Sequence, residues 1–509
     1  MNKKSLLILA ATLALCSCSA GNGEITVKGR VRDAETGKGI GGVIVSDGVR
    51  CAQTGASGRY RLTTDRIYDR TVFIVNPEDY EPSFNEGSCF SGWMPVDTNL
   101  SVNRCDFSLK KAEKPDECKL LIMGDPQVMS PRPHSLTAWE WVTDRLKEYA
   151  DTSSGRLYAI YLGDMVVNEI EVEGKAEWYL ERIAKTGIGA FHVPGNHDHI
   201  QKAKDYAEAI PAYAKHFGPY NYAVNFGKVH CIFIDTMQNW KGEHGNRYDE
   251  GLSDEAMQFI TEDLSHVEAD RPVMICTHCP ITKEYGGRIP EKAINYDRLI
   301  SALEGRDAYF WYGHIHFNTF YSYTDEELAS FAPGVRSLSS ATVGRVGGSW
   351  ACSGEIGRDG CPRGMVEVKV DGTQLNWRFR SLDSNYPDDM KLIAPGTFEP
   401  TEGVEPGALL CNVYAWDNLW TLPELWIDGK KAGEFRHCTC VGYDSVADPE
   451  YAYWFPKWKA LGIQGFRNEI PKPYDNSHLF SIVPPKGSHN AEVRVSDRWG
   501  RTYSSTINY

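Results

Sequence analysis

The sequence reads Pro194-Gly195-Asn196-His197-Asp198-His199 directly after an apolar run, residues 188–193, that has the character of a short buried strand. A glycine behind a strand lets the backbone turn sharply and approach a ligand closely. Asn196, His197 and Asp198 then supply an amide oxygen, an imidazole and a carboxylate in consecutive positions. Such a set can bind a hard divalent cation and supply a proton, but it is also typical of a polar turn that caps a helix. The neighbouring parts of the chain decide between the two interpretations.

Four more apolar runs in the middle of the chain end in side chains of the same kind. They are followed by Asp125-Pro126-Gln127, by Gly163-Asp164, by Thr277-His278 and by Gly313-His314-Ile315-His316. One Asp or His at a strand end is usually a turn cap or a satisfied polar group, but chance rarely produces such ends in succession. Because helical stretches alternate with these runs, the pattern predicts an α/β sheet whose loops carry the functional residues.

These residue types together suit a pair of divalent cations. Two cations about 3.5–4 Å apart need at least one carboxylate that bridges them. Mixed oxygen and nitrogen ligands favour Mn²⁺, Fe or Zn²⁺ over Mg²⁺, which prefers oxygen throughout. Such ions lower the pKa of bound water and neutralise phosphoryl oxygens as charge develops.

The series D-x-Q, G-D, G-N-H-D, T-H and G-H-x-H resembles the calcineurin-like metallophosphoesterase family over about residues 118–381. The resemblance implies an α/β fold, a four-layer type of β-sandwich flanked by helices. It also implies two divalent metal ions, and a hydroxide between them that attacks phosphorus in line.

The resemblance further implies a role for each residue of the series, either as a metal ligand or in proton transfer. The first metal would be held by Asp125, Gln127 and His316. The second would be held by Asn196, His278 and His314, with Asp164 bridging the two ions. His197 would protonate the leaving-group oxygen, and Asp198 would orient His197.

Two positions depart from the usual pattern of the family. Gln127 stands where most members have a histidine. Its amide is a weaker ligand than imidazole, so we expect the first metal to bind more loosely, to be a harder ion such as Mn²⁺, or to contact Gln127 through water. Asn168 stands where many members have an acid, and we expect it to act at most outside the ligand set.

Small β modules are predicted on both sides of the central domain, because 509 residues suffice for about three domains. Short alternating runs with Gly and Asp turns indicate a β-sandwich at residues 24–112, similar to prealbumin-like modules. The phosphoesterase-like domain is expected at 118–383 and a second β-rich accessory domain at 390–509.

Substrate contacts are predicted in three loops of the central domain. Arg247, Arg288 and Arg345 could pair with a phosphate. Trp350, like Trp240, could stack on a base or a sugar. The alternative for each is a solvated loop residue without a ligand.

The N-terminus, residues 1–23, resembles an export signal, because two lysines precede a short apolar run and Cys16-Ser17-Cys18. We expect a bacterial lipoprotein that is exported to the periplasm or cell surface and lipid-anchored at Cys18; the alternative is an ordinary secretory signal. The chain has a single C-x-x-C, Cys276-Thr277-His278-Cys279, and the lack of a second such pair argues against a structural zinc site.

The sequence therefore predicts a metal-dependent phosphatase or phosphodiesterase that acts on a small phosphorylated substrate. A net charge of −14 argues against binding of a nucleic-acid polymer. Two alternatives remain: a non-catalytic metal-binding protein, and a surface protein whose end modules bind glycans.

Overall fold

A computed structural model describes residues 24–65, 71–128, 133–168, 170–241, 247–283, 291–347, 356–461, 470–487 and 490–509. Residues 1–23 with Cys18, and the candidate substrate contacts Arg288 and Trp350, lie outside this part of the chain. Within it, no helix combines the length and the apolarity needed to span a lipid bilayer.

The N-terminal module consists of eight short strands in two sheets. The strands are β1 (Glu24–Asp33), β2 (Ile44–Ser46), β3 (Cys51–Gln53), β4 (Arg59–Asp65), β5 (Thr71–Val75), β6 (Trp93–Pro95), β7 (Val102–Arg104) and β8 (Phe107–Leu109). One sheet has the order β4-β1-β7, with β8 also on β1, and the other has the order β3-β2-β5-β6. Alternating side chains such as Ile25, Val27, Val43 and Val45 fill the space between the sheets.

The central domain contains two larger sheets. The five-stranded sheet has the order β11-β10-β9-β22-β23. It is built from β9 (Glu117–Met123), β10 (Leu157–Tyr161), β11 (Gly189–His192), β22 (Gly364–Asp371) and β23 (Gln374–Ser381). Its first three strands in the chain are parallel, and the last two form an antiparallel hairpin across Asp371-Gly372, a turn pair typical of hairpins.

The six-stranded sheet has the order β12-β13-β16-β19-β21-β20. It is built from β12 (Asn221–Phe226), β13 (Val229–Ile234), β16 (Val273–Thr277), β19 (Asp307–Tyr312), β20 (Thr319–Ser322) and β21 (Ser337–Thr342). The four inner strands are parallel, and β12 and β20 are antiparallel edge strands. Two small hairpins lie outside it: β14 (Met237–Lys241) with β15 (Arg247–Glu250), and β17 (Thr282–Lys283) with β18 (Glu291–Lys292).

Helices cover the outer faces of the two sheets. They are α1 (Pro133–Thr152), α2 (Lys175–Thr186), α3 (Tyr206–Ala209), α4 (Pro211–Phe217), α5 (Asp254–Leu264), α6 (Tyr296–Ala302) and α7 (Asp325–Phe331). In β9, Leu120 and Ile122 face the second sheet, whereas Leu121 and Met123 pack with α1 and α2. Both faces of the strand are therefore buried, which explains why its sequence is a continuous apolar run. Ser253 is the N-cap of α5, because its hydroxyl accepts a hydrogen bond from the Ala256 N–H.

The C-terminal module is a second sandwich, of two four-stranded sheets with the orders β24-β25-β29-β28 and β27-β26-β30-β31. Its elements are β24 (Met390–Ile393), β25 (Leu409–Val413), β26 (Glu424–Ile427), β27 (Lys430–Glu434), β28 (Arg436–His437), α8 (Pro449–Ala460), β29 (Leu479–Ile482), β30 (Asn490–Ser496) and β31 (Thr502–Asn508). The helix α8 is capped by Asp448, and Pro449 occupies its first turn.

Both modules pack directly on the central domain. On the N-terminal side, Asn76 and Asn225 exchange hydrogen bonds between side chains and backbone at 2.7–3.0 Å. On the C-terminal side, Asn418 and Ser322 do the same at 2.8 Å, and Trp377 of β23 packs edge-on against Trp499. The accessory modules are thus fastened by buried polar pairs as well as by apolar surface.

Candidate metal centre

The predicted strand ends meet at one edge of the central sandwich. Asp125 and Gln127 follow β9, Asp164 follows β10, and a single 3-10 turn, Asn196–Asp198, follows β11. His278 follows β16 of the opposite sheet, and His314 and His316 follow β19. Because these strands run parallel within each sheet, their carboxyl ends, and the side chains behind them, lie together.

The backbone at this edge is unusual. Six of its residues that are not glycine adopt left-handed φ values between 43° and 68°: Asp125, Gln127, Asp164, Asn168, His314 and His316. This backbone conformation is rare for residues other than glycine, and the residues that adopt it cluster where function constrains the chain. The turn after each strand therefore aims its side chain inward at some cost in backbone energy.

Glycines permit the close approach of the loops. A Cβ atom on Gly195 would lie 2.2 Å from Asp164 Oδ1, and one on Gly313 would lie 2.6 Å from the Leu162 carbonyl oxygen. Neither neighbour can move away, because one is a buried candidate ligand and the other is backbone. This confirms the sequence expectation that a glycine lets the strand-end turn come close to the site.

The first donor group surrounds Asp125. His316 Nε2 lies 3.2 Å from Asp125 Oδ1, and Gln127 Nε2 lies 3.2 Å from His316 Nε2 and 3.0 Å from Asp164 Oδ2. Asp125 Oδ2 accepts a hydrogen bond from the His314 backbone N–H at 3.0 Å, which holds the G-H-x-H turn over the strand end.

The second donor group shares Asp164 with the first. His278 Nε2 lies 3.3 Å from Asp164 Oδ1 and 3.1 Å from Asn196 Oδ1. His314 Nδ1 lies 3.1 Å from Asn196 Oδ1 and 3.2 Å from His278 Nε2. The two oxygens of Asp164 therefore face different donor groups, which is the arrangement that a bridging carboxylate requires.

Electrostatics make Asp164 the anionic centre of the cluster. Burial opposes its ionisation, but the charges of His278 and His197 outweigh burial and hold the pKa of Asp164 well below its usual value. Burial likewise favours a neutral His278, yet the Asp164 carboxylate raises the pKa of His278 to about 10. Burial and the nearby His278 charge lower the pKa of His314 to about 3, so this ring is neutral, the form that binds metal.

The residues fit a pair of divalent cations. Carboxylate, amide and imidazole atoms converge here, with few hydrogen-bond donors among them. Two buried oxygens, Asp125 Oδ1 and Gln127 Oε1, accept no hydrogen bond from the residues that the structure describes. A half-turn of the Gln127 amide exchanges its two terminal atoms and brings Oε1 to face Asp164 and His316. Without a cation, the Gln127 amide nitrogen can thus donate a hydrogen bond to Asp164. With a cation present, the amide oxygen can coordinate it.

The structure corrects the predicted role of Asp198. Its carboxylate accepts hydrogen bonds from the backbone N–H groups of Met165, Val166 and Gly195 at 2.9–3.2 Å, and none of its described contacts is to His197. Burial and the nearby Asp164 raise the pKa of Asp198 to about 7. The side chain next to His197 in sequence therefore holds the strand-end loops together instead of orienting the imidazole.

Asn168 contacts the imidazole instead. Its Oδ1 lies 2.5 Å from His197 Nδ1, and His197 Nε2 points toward the donor groups, 3.9 Å from Asp164 Oδ2. The expectation that Asn168 lies outside the ligand set agrees with this contact. His197 retains 23% side-chain exposure, so a ligand can reach it.

Further residues support the site and carry no sequence signal of their own. His199, buried, bonds the Gly195 carbonyl oxygen and Asp235, and Trp240 stacks on its ring. Glu250 Oε1 lies 3.8 Å from His314 Nε2. Arg358 donates to the carbonyl oxygen of Ile315, between the two histidines, at 2.9 Å.

The structure describes the side chains of two predicted substrate contacts, Arg345 and Trp240, and only Arg345 lies at a pocket. Arg345, half-buried, lines a surface pocket together with His316. The prediction that Trp240 stacks on the substrate is wrong, because Trp240 is buried between His199 and Tyr248. Arg247 lies in β15, but its side chain, like all of Arg288 and Trp350, is outside the described part.

The sandwich of two sheets with its edge cluster of ligands is a metallophosphoesterase fold, the class of phosphoester hydrolases that use divalent ions. Models of one family match three successive parts of the chain. They are the N terminal of calcineurin-like phosphoesterase at 25–112, calcineurin-like phosphoesterase at 118–318 and the C terminal of calcineurin-like phosphoesterase at 341–503. The chain belongs to the calcineurin-like phosphoesterase family.

Solved structures similar to the chain include a dimetal phosphatase from Danio rerio, with 12% identity and a TM-score of 0.38, which covers 52% of this chain and 96% of its own. A 5'-nucleotidase from Candida albicans matches with 11% identity and a TM-score of 0.31, over 52% of both chains. A 5'-nucleotidase precursor from Thermus thermophilus matches with 14% identity and a TM-score of 0.28, over 52% of this chain and 54% of its own. A comparison with curated proteins gave no match.

Proposed function

We propose that this phosphoesterase cleaves the ester of a small phosphorylated molecule at a centre of two divalent ions. The observation that carries the proposal is Asp164, whose two oxygens each face one of the two donor groups. When bound, the ions supply positive charge that acidifies water and neutralises the phosphoryl oxygens. Asp125, Gln127 and His316 would hold one ion, and Asn196, His278 and His314 the other.

His197 is the residue placed to deliver a proton. Asn168 Nδ2 and Oδ1 offer a donor and an acceptor, and with Oδ1 at 2.5 Å the His197 Nδ1–H donates to it. In the doubly protonated ring, the proton available for transfer is then the one on Nε2, the ring atom that faces the donor groups. A leaving-group oxygen within hydrogen-bonding reach of Nε2 would take that proton as the P–O bond breaks.

Arg345 is the described cation best placed to hold the phosphoryl group or the rest of the substrate. It lines the same surface pocket as His316, beside the first donor group. The chain's net charge of −14 supports the proposal that nucleic-acid polymers are excluded and that the substrate is a small phosphorylated molecule.

Export and lipid anchoring are also proposed, on the residues near Cys18 alone. In a bacterial host, we expect the protein in the membrane fraction, and Cys18→Ala should release it from that fraction. Wild-type protein that remains in the cytosol would contradict this part of the proposal.

The test of the function is an activity panel over monoesters, diesters and pyrophosphates, each with Mn²⁺, Fe²⁺ or Zn²⁺. We expect hydrolysis of at least one ester class that chelation abolishes and re-addition of metal restores. The matched control is Asp125→Asn, which keeps the shape of the residue but weakens the first donor group. A wild-type protein that binds both ions yet cleaves no ester in the panel would favour the non-catalytic alternative.

A further inference from the structure

A second cluster of possible metal ligands is buried where the central domain meets the C-terminal module. We name it the junction cluster: Asp359, Cys361 and His478. His478 Nε2 lies 3.7 Å from Asp359 Oδ2 and 3.9 Å from Cys361 Sγ. All three residues are at most 3% exposed.

Hydrogen bonds determine which atom of the His478 ring faces the other two residues. The Asn412 amide nitrogen donates to the Asp359 carbonyl oxygen at 2.8 Å, so its Oδ1 is the atom that faces His478. His478 Nδ1 lies 2.6 Å from that oxygen and donates its proton to it. Nε2 is therefore left to present its lone pair to Asp359 and Cys361, as in histidine ligands whose other nitrogen is held by a carbonyl group.

The separations of His478 Nε2 from the other two donor atoms fit a tetrahedral ion. Zinc lies about 2.0–2.2 Å from nitrogen and oxygen ligands and about 2.3 Å from thiolate sulfur, which places neighbouring ligands about 3.4–3.6 Å apart. The observed 3.7 and 3.9 Å need only a small contraction, and all three donor atoms lie within 4.8 Å of one another. In the protein alone, the 3.9 Å between Cys361 Sγ and His478 Nε2 is too long for a strong hydrogen bond.

The surroundings hold the ligands in place before any ion binds. Asp359 Oδ2 accepts from the Asn318 N–H at 2.7 Å, and Oδ1 accepts from the Cys361 N–H at 3.1 Å. The Asn476 side chain donates to the Asp359 carbonyl oxygen at 2.6 Å and accepts from the His478 N–H. Two amide side chains of the C-terminal module, Asn412 and Asn476, thus bind the loop at 356–362 through the Asp359 carbonyl oxygen.

We propose that the junction cluster is a zinc site that links the central domain to the C-terminal module. Zn²⁺ would bind to Asp359, Cys361 and His478, and water from the pocket that Arg345 and His316 also line would take the fourth position. Binding releases the thiol proton to solvent as the zinc–sulfur bond forms. One thiolate and one carboxylate neutralise the ion, so the buried assembly carries no net charge. The site is distinct from the metal centre, whose candidate ligands contain no sulfur.

Zinc X-ray absorption on the full-length, zinc-loaded wild-type protein tests the proposal directly. We expect a sulfur shell at about 2.3 Å, and its absence would overturn the site whatever the fate of any variant. Cobalt substitution gives a second readout, because thiolate bound to Co²⁺ produces a charge-transfer band in the near ultraviolet that nitrogen and oxygen ligands do not.

Two cysteine variants assign the sulfur. Cys361→Ser should abolish the cobalt band and lower the zinc content by one equivalent per chain. Cys279→Ser is the matched control, because Cys279 is a buried cysteine beside His278 and His314 of the metal centre; it should keep the band. A band lost in Cys279→Ser and kept in Cys361→Ser would place the sulfur at the metal centre and refute the proposal, while leaving the proposed phosphoesterase activity intact.

Discussion

The metal centre and the junction cluster are both buried groups of ligand-type residues, but they are built in different ways. The metal centre takes all its residues from one domain, at strand ends whose backbone is left-handed at Asp125, Asp164 and His314 among others. The junction cluster takes residues from a loop of one domain and the edge of another, and none of its three members has a positive φ. The comparison teaches that backbone strain accompanies the site that must present its ligands to a substrate, and is absent where side chains only fasten two domains.

The most direct test of this comparison is the same substitution, aspartate to asparagine, at one buried aspartate of each cluster. Asp164→Asn should lower turnover about 1000-fold and reduce the content of bound metal, because loss of a bridging ligand should exceed the 10–100-fold cost of changing an outer-shell partner. Steady-state kinetics with metal analysis measure both quantities. Unchanged metal content would contradict the bridging position.

Asp359→Asn is the counterpart. It should lower the free energy of unfolding by about 2 kcal/mol, because a neutral amide oxygen accepts the two backbone hydrogen bonds more weakly than the buried carboxylate does. Denaturant unfolding measures this loss, and turnover should fall much less than in Asp164→Asn. If Asp359→Asn were the more damaging change for turnover, the division between a catalytic and a fastening cluster would be wrong.

The next largest effect is expected at His197. His197→Ala should slow the hydrolysis of esters with poor leaving groups by about 100-fold and of those with good leaving groups by less than about tenfold, because only the former need a proton. Rates over a series of aryl esters with increasing leaving-group pKa measure the difference. Equal losses across the series would exclude His197 as the proton donor.

A smaller effect is expected at Asn168, which holds the His197 ring. Asn168→Ala should lower turnover of poor leaving groups about tenfold, in line with the loss of an outer-shell partner. In the His197→Ala background the same change should have almost no further effect, since the two residues act as a unit. Asn168→Asp, which keeps an acceptor at the same position, should recover most of the activity. Additive losses in the double variant would show that Asn168 and His197 act independently.

The smallest effect concerns Asp475, near the junction cluster. Burial raises the pKa of Asp475 to about 6 in the folded protein, above an unfolded value of about 3.9. A raised carboxyl pKa means that the fold favours the protonated form, so stability is lost as the pH rises through the interval between the two values. Asp475→Asn removes this loss and should stabilise the protein by about 2 kcal/mol above about pH 7, and by almost nothing near pH 4.

Denaturant unfolding of wild type and Asp475→Asn at the two pH values checks the prediction. Asp444→Asn changes an exposed carboxylate of the same module and should alter stability by less than about 0.5 kcal/mol at either pH. Stabilisation by Asp475→Asn that is as large in acid as at neutral pH would point to packing rather than to the charge.

The sequence made the central fold and the gathering of ligands predictable, because both follow from local rules. Apolar runs with intervening helices imply parallel strands, and parallel strands bring their carboxyl ends to one edge. The hairpin at Asp371-Gly372 and the cap at Ser253 are equally local. A polar residue directly behind such a strand therefore has a predictable place even when its partner is more than a hundred residues away.

Partners that depend on side-chain direction were not predictable in the same way. Asp198 follows His197 in sequence, but the 3-10 turn directs its carboxylate to the backbone of residues 165 and 166, and Asn168 reaches the imidazole from another loop. His478 joins Asp359 only because a separate domain docks on the loop at 356–362. Spacing along the chain contains no record of that docking, so the spacing of the cysteines could not predict the zinc site proposed above.

The hydrogen bond from Arg358 to the Ile315 carbonyl oxygen connects this docking to the histidines on either side of Ile315. The guanidinium is itself paired with Asp475 of the C-terminal module. We therefore expect the accessory module to act as an effector of metal affinity. Undocking of the module would remove a contact from the histidine turn, and ions bound at that turn would favour the docked module by the same free energy.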